Sequence, residues 1–378
     1  MRIGIEAQRI FRTKKHGMDM VVLELIKNLK LIDKQNEYFI FVSPGEDICL
    51  TSENNFNIIE LNGGFYPIWE QIALPKAAIK YKCDILHCTS NTAPLLCKTP
   101  MIITLHDIIY LESLNLFSGG ATAYQRFGNL YRRMVVPIAV KRCKKVVTVS
   151  EFEKKRISEF MGLKENLISI YNGVGEHFKV ISDKEVLNQC KSKYNLPDKF
   201  FFFLGNTDPK KNTPNVLKAF AHFNNKSSEK YKLVMLDFPE NALKQILNDI
   251  ECSNIRDQIL LLGYVPNNEL PQIINLCSLF LYPSLRESFG IPILEGMACG
   301  VPVITSNTSS MPEVAGYAAL LVDPSSYLTI SDAIEEILNN EPLRESLIGK
   351  GLDRAQKFSW LEMAKRYLSL YNEVYNSL

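Results

Sequence analysis

Glu287 and Glu295 stand eight positions apart in the stretch Tyr282-Pro283-Ser284-Leu285-Arg286-Glu287-Ser288-Phe289-Gly290-Ile291-Pro292-Ile293-Leu294-Glu295. An apolar run ends at Tyr282, Gly290 permits a tight turn, and Pro292 suits the first turn of a helix. Glu287 therefore falls on a loop at the carboxyl edge of a sheet. Glu295 falls about one turn into the following helix, on a face turned toward the same hollow. A glutamate inside the apolar run 291–298 is costly to bury without partners. Two vicinal hydroxyls of a sugar ring or a ribose would supply them. The backbone amides of Ser288, Phe289, Gly290 and Ile291 would project from a helix N-terminus, which is a ready anion site.

A second cluster, Gly205-Asn206-Thr207-Asp208-Pro209-Lys210-Lys211-Asn212, follows the apolar run Phe201-Phe202-Phe203-Leu204 and precedes a helical segment at 214–223. Strand, glycine, lysine loop and helix in that order would bring Lys210 and Lys211 to the same anion position from the opposite wall. The chemistry this set could perform is recognition of a sugar carrying a charged phosphate group.

Such residues need a frame, and the chain supplies one by alternating β-rich and helical runs. Segments 3–7, 38–43, 85–87, 101–105 and 145–149 read as buried strands, with an amphipathic helix at 18–31 between the first two. A second set follows at 200–204, 233–237, 259–262, 279–282, 302–305 and 319–322. Strand and helix in alternation mean parallel sheets with crossover helices. Two α/β domains are expected, 1–175 and 176–360, with a final amphipathic helix at about 361–378. Its stripe Trp360, Ala364, Tyr367, Tyr371, Val374 and Leu378 has to be buried on a domain, and both are candidates. Ligands of open parallel sheets sit at the carboxyl ends of the strands, so the cleft between the domains is the expected site.

Composition narrows the class. A chain of 378 residues exceeds one core, and Lys+Arg 43 against Asp+Glu 41 argues against bulk nucleic-acid binding. The nine cysteines are scattered with no C-x-x-C spacing, so they read as reduced, packed residues of a cytoplasmic protein. Glu6 interrupts the opening apolar run too early for a signal peptide, and no run is long enough to span a membrane. The loop Gly4-Ile5-Glu6-Ala7 lacks the G-x-G-x-x-G of a nicotinamide-dependent oxidoreductase. No D-x-D metal signature is present.

Glu287 to Glu295 resembles the E-x7-E element of retaining family-4 glycosyltransferases of group 1, which have the GT-B fold of two facing Rossmann-like domains. Gly263-Tyr264-Val265-Pro266, Pro302-Val303-Ile304-Thr305, Met311-Pro312-Glu313-Val314 and Asn172-Gly173-Val174 are similar to further motifs of that family, in the same order. The resemblance covers nearly the whole chain. It implies that Glu287 contacts donor-sugar hydroxyls, Glu295 the ribose, and the amides around Phe289 and Gly290 the sugar or phosphate. It further implies that Lys211 neutralises the leaving diphosphate and that His106, in Thr104-Leu105-His106-Asp107, lies near the reacting sugar. Gly17 would let backbone approach the phosphates. Asn206 and Lys210 stand where relatives carry arginines, so the fork geometry of arginine is replaced and diphosphate binding leans on Lys211.

The opening Met1-Arg2-Ile3-Gly4-Ile5-Glu6-Ala7 looks like the mannosyltransferase branch. The implied donor is GDP-mannose, a co-substrate, with no cofactor and no metal. The implied acceptor is a glycan or lipid-linked glycan of surface-polysaccharide synthesis. A UDP-hexose-dependent transferase of the same fold, a sugar-nucleotide epimerase and a silent sugar-nucleotide-binding module are the competing readings. Ten Lys/Arg against three acids between 121 and 160, interleaved with Tyr124, Phe127, Tyr131 and Met134, mark a segment able to touch an anionic membrane at the inner face.

Overall fold

The computed structural model describes residues 1–112 and 123–378, with the backbone alone for residues 123–125. The chain forms two compact units. The first comprises Met1–Asn172 with Trp360–Leu378, and the second Gly173–Ser359.

The first unit is built on seven parallel strands in the order β3-β2-β1-β4-β5-β6-β7. They are β1 (Arg2–Glu6), β2 (Glu37–Val42), β3 (Phe56–Glu60), β4 (Ile85–Cys88), β5 (Met101–Thr104), β6 (Lys145–Thr148) and β7 (Leu167–Ser169). The central strands carry continuous apolar runs because helices cover both faces, and β4 and β5 are buried at every position. Phe39, Phe41, Leu86, Ile103 and Val146 meet Val136, Val140 and Leu74 in one core. The edge strands β3 and β7 were not legible as apolar runs. β3 has only its first residue buried and β7 has three residues.

The second unit carries six parallel strands in the order β10-β9-β8-β11-β12-β13. These are β8 (Phe200–Phe203), β9 (Lys232–Leu236), β10 (Ile259–Leu262), β11 (Leu279–Tyr282), β12 (Val303–Ser306) and β13 (Leu320–Val322). Phe201, Phe203, Leu233, Met235, Leu279 and Leu281 pack on Leu217 and Phe220 of the Thr213–Lys226 helix and on Ile330 and Ile334.

The final helix, Trp360–Asn376, buries Trp360, Ala364, Tyr367, Tyr371 and Val374 in the first unit and packs along the Gly17–Ile32 helix. Leu378 lies beyond it and is exposed, so the stripe is one residue shorter than expected. The docking is also polar. His87 meets Tyr371 Oη through Nδ1 and Thr104 Oγ1 through Nε2, both at 2.8 Å, and Tyr367 Oη lies 2.9 Å from Thr104 Oγ1. Burial lowers the His87 pKa to about 3, so the ring is neutral and makes one donor and one acceptor bond. All nine cysteines are free, and burial pushes the thiols of Cys83, Cys143 and Cys299 up to about 12.

Candidate active site

Strands β8 and β11 are neighbours, while the chain continues from them to opposite sides of the sheet. Such a switch point opens a crevice at the carboxyl ends of the strands. The loop after β8 carries the lysines, and the loop after β11 carries Glu287. Leu285 N donates to Lys210 O at 2.7 Å and fastens the two loops together. Asn212 adds a second tie from the left-handed region (φ 61°), donating from Nδ2 to Pro283 O at 2.9 Å and Pro324 O at 2.7 Å. From the loop after β12, Ser310 Oγ donates to Glu287 O at 2.8 Å and to Phe289 O at 2.9 Å. Ser309 Oγ accepts from Glu287 N at 3.0 Å.

On this frame Lys211 Nζ lies 2.7 Å from Glu287 Oε1, with side-chain exposures of 16% and 11%. Lys211 also donates to Tyr282 Oη at 2.8 Å. Burial, and next the charge of Glu287, hold the Tyr282 phenol well above its usual value. Glu295 belongs to the Ile291–Ala298 helix and keeps partial contact with solvent, yet its carboxyl has no hydrogen bond or ion pair among the described residues. The apolar surroundings raise its pKa to about 7. Its charge adds to the field that raises the Tyr282 phenol.

Gly290 caps that helix at φ 101°, ψ 49°, a region that L side chains rarely adopt, and an added Cβ would sit 3.1 Å from Ile293 Cδ1. Phe289 is buried with its ring edge-on to Phe358 at 5.9 Å, so its side chain is core and only its backbone can serve a ligand. Ser288 and Ile291 flank the same turn, half-buried.

Lys210 does not converge with Lys211. Its Nζ reaches toward Asp208 Oδ2 at 3.6 Å on the exposed side of the loop. Asn206 is exposed and accepts from Asp208 N at 2.8 Å, shaping its own turn. The remaining two residues belong to the first unit. His106 follows β5, is buried, and bonds Thr89 O through Nε2 at 3.1 Å, which fixes the proton on that nitrogen and leaves Nδ1 as an acceptor. Burial lowers its pKa. Gly17 is the first residue of its helix, and a Cβ there would meet nothing within 4 Å, so packing within the unit does not demand a glycine.

Several functional residues escaped the sequence reading: Asn212, Ser309, Ser310 and the hydroxyl of Tyr282. The polar run Ser306-Asn307-Thr308-Ser309-Ser310 directly after a strand was the signal for the serines. A further buried carboxyl, Glu70, sits in a π-helical turn (Trp69–Ala73) and accepts from Tyr66 at 2.8 Å, Gln71 at 2.9 Å, Thr92 and Tyr131. Tyr131 therefore points inward and does not join the surface group of aromatics expected around it. The side chain of Tyr124 lies outside the described residues.

A crevice at a switch point, with an acid–lysine pair and a half-buried acid whose carboxyl has no partner among the described residues, is where an open α/β sheet takes its ligand. The profile described as "Glycosyltransferase Family 4" matches residues 17–177, and "Glycosyl transferases group 1" matches residues 188–354. The chain belongs to this family of glycosyltransferases. The O-antigen chain mannosyltransferase RfbU of Salmonella typhimurium is 32% identical over 72% of this chain and 69% of its own length. The serotype-specific mannosyltransferase WbdA of Escherichia coli is 28% identical over 70% of this chain and 32% of its own length, so the chain spans about a third of that relative. The crystal structure of Anabaena Alr3699/HepE in complex with UDP and glucose superposes with a TM-score of 0.77 at 16% identity, covering 99% of this chain and 100% of the other. The fold is GT-B, with two Rossmann-like domains.

Proposed function

We propose that this protein transfers a hexose, mannose from GDP-mannose, to a hydroxyl of a glycan or lipid-linked glycan in surface-polysaccharide synthesis, with retention at the anomeric carbon. The observation that carries the reading is the Lys211–Glu287 pair at 2.7 Å, tied by both loops of the switch point and flanked by Glu295. The mannosyltransferase relatives favour mannose as the sugar. In the transfer, the bond from C1 to the diphosphate oxygen breaks. The acceptor oxygen joins C1 on the same face, and its proton passes to the departing phosphate.

Lys211 and the amides of Ser288, Phe289, Gly290 and Ile291 would stabilise the charge that develops on the diphosphate, so no divalent metal is required. Glu287 would orient the sugar, Glu295 the ribose, and His106 with Nδ1 as acceptor would receive a sugar hydroxyl. Gly17 would let backbone approach the phosphates, while Lys210 and Asn206, on the exposed side of their loop, would stay off them.

Membrane contact belongs to the same reading. Phe127, Leu130, Met134 and Ile138 form an exposed apolar stripe on the Ala123–Arg142 helix, with exposed Arg126 at one end and Lys141 and Arg142 at the other. Phe65 joins the stripe through a ring contact to Phe127 at 5.2 Å. The basic count overstates the charge on offer, because Arg156 is paired with Glu112, Lys145 with Glu373 and Lys154 with Glu151.

A thermal-shift panel of GDP, UDP, ADP and their sugar conjugates, run with and without EDTA, tests the donor assignment. The largest shift is expected with GDP and GDP-mannose, unaltered by EDTA. A larger shift with UDP compounds, or one abolished by EDTA, would overturn the donor or the metal independence respectively.

A further inference from the structure

Tyr282 brings more than a ring to the site. It ends β11 at 2% exposure, and its hydroxyl accepts from Lys211 Nζ at 2.8 Å, beside the 2.7 Å bond from the same ammonium to Glu287 Oε1. Lys211 thus gives to both neighbours at once. An ammonium has three N–H groups. Two serve Tyr282 and Glu287, and the third has no partner among the described residues. With the lysine side chain 16% exposed, that third N–H is open to an incoming anion. A lysine held by Glu287 alone would swing on its flexible stem, and it would compete with the sugar hydroxyls for the one carboxylate.

We propose that Tyr282 is a positioning residue for the transfer: its hydroxyl fixes the Lys211 ammonium between Glu287 and the donor's diphosphate and keeps it there when Glu287 engages the sugar. The proposal rests on the glycosyltransferase reading above. Tyr282→Phe removes one oxygen and keeps the ring, so the fold is retained. With GDP-mannose as donor and release of GDP as the readout, kcat is expected to fall about 10-fold while the donor KM stays within about twofold, the mark of an interaction made in the transition state.

An unchanged kcat beside an active wild type would overturn the role of Tyr282 and leave the glycosyltransferase reading intact. Loss of kcat and KM together with a lowered melting temperature would show a general packing role and would overturn it equally. A wild type that turns over no nucleotide sugar of the panel would sink the reading itself, and the role of Tyr282 with it.

Discussion

A lysine and a glutamate 2.7 Å apart hold opposite charges at the place where a sugar diphosphate would divide them. Neither side chain is fully buried, so the pair can exchange partners without the large penalty of an isolated buried charge. Glu295 is different, because nothing among the described residues compensates its carboxyl. Its pKa of about 7 means that the folded protein holds a proton there which the unfolded chain releases near the ordinary glutamate value. The native state therefore binds more protons between those values, and this contribution to stability is present at low pH and lost as pH rises through about 7. The unliganded melting temperature should fall, relative to Glu295→Gln, between about pH 5.5 and about pH 8. The GDP-induced shift should grow over the same range, since the charged carboxylate is the better acceptor for ribose hydroxyls. Parallel pH profiles for the wild type and Glu295→Gln would refute both the raised pKa and the ribose role.

Loops, not strands, hold Lys211 and Glu287, and their order comes from side-chain-to-backbone bonds between elements distant in sequence. Asn212 illustrates the cost. Its amide bonds two carbonyls from other loops, and its backbone sits in the left-handed region. Asn212→Ala should destabilise by about 2–4 kcal/mol, combining lost bonds to buried carbonyls with left-handed strain. Asn212→Gly, which loses only the bonds, should cost about 1 kcal/mol less. Urea titrations of both variants check the difference, and equal losses would remove strain from the account.

These cross-loop ties were the illegible part of the site. Glu287, Glu295 and Lys211 announced themselves by residue type and spacing, and Gly290 by its place between strand and helix. The divergence of Lys210 from Lys211 did not, because adjacent side chains on a 3-10 turn (Pro209–Lys211) point apart and the sequence does not fix which one turns inward. The central strands were legible for a related reason: burial on both faces leaves unbroken apolar runs. β3 and β7, at the sheet edges, keep polar residues such as Asn57 and Ser169 and so carried no such signal.

At the scale of the whole molecule, the Trp360–Asn376 helix belongs to the first unit although it follows the second in sequence, and His87, Tyr367 and Tyr371 specify that docking. Among the described residues no helix is long and apolar enough to cross a membrane. The exposed stripe from Phe127 to Ile138, with basic residues at its ends, is the feature on which the membrane proposal rests. Flotation with anionic vesicles should recover the protein at low salt and less of it at high salt, and Met134→Glu should abolish recovery at both. Failure to float at low salt would end the membrane proposal and leave the catalytic one untouched.

Lys211 and Glu287 are proposed to act on the donor, and the rate of GDP release from GDP-mannose reports that action. Lys211→Met and Glu287→Gln should each lower that rate by about 10²-fold or more while the variants still unfold cooperatively. Wild-type rates in either folded variant would contradict the account.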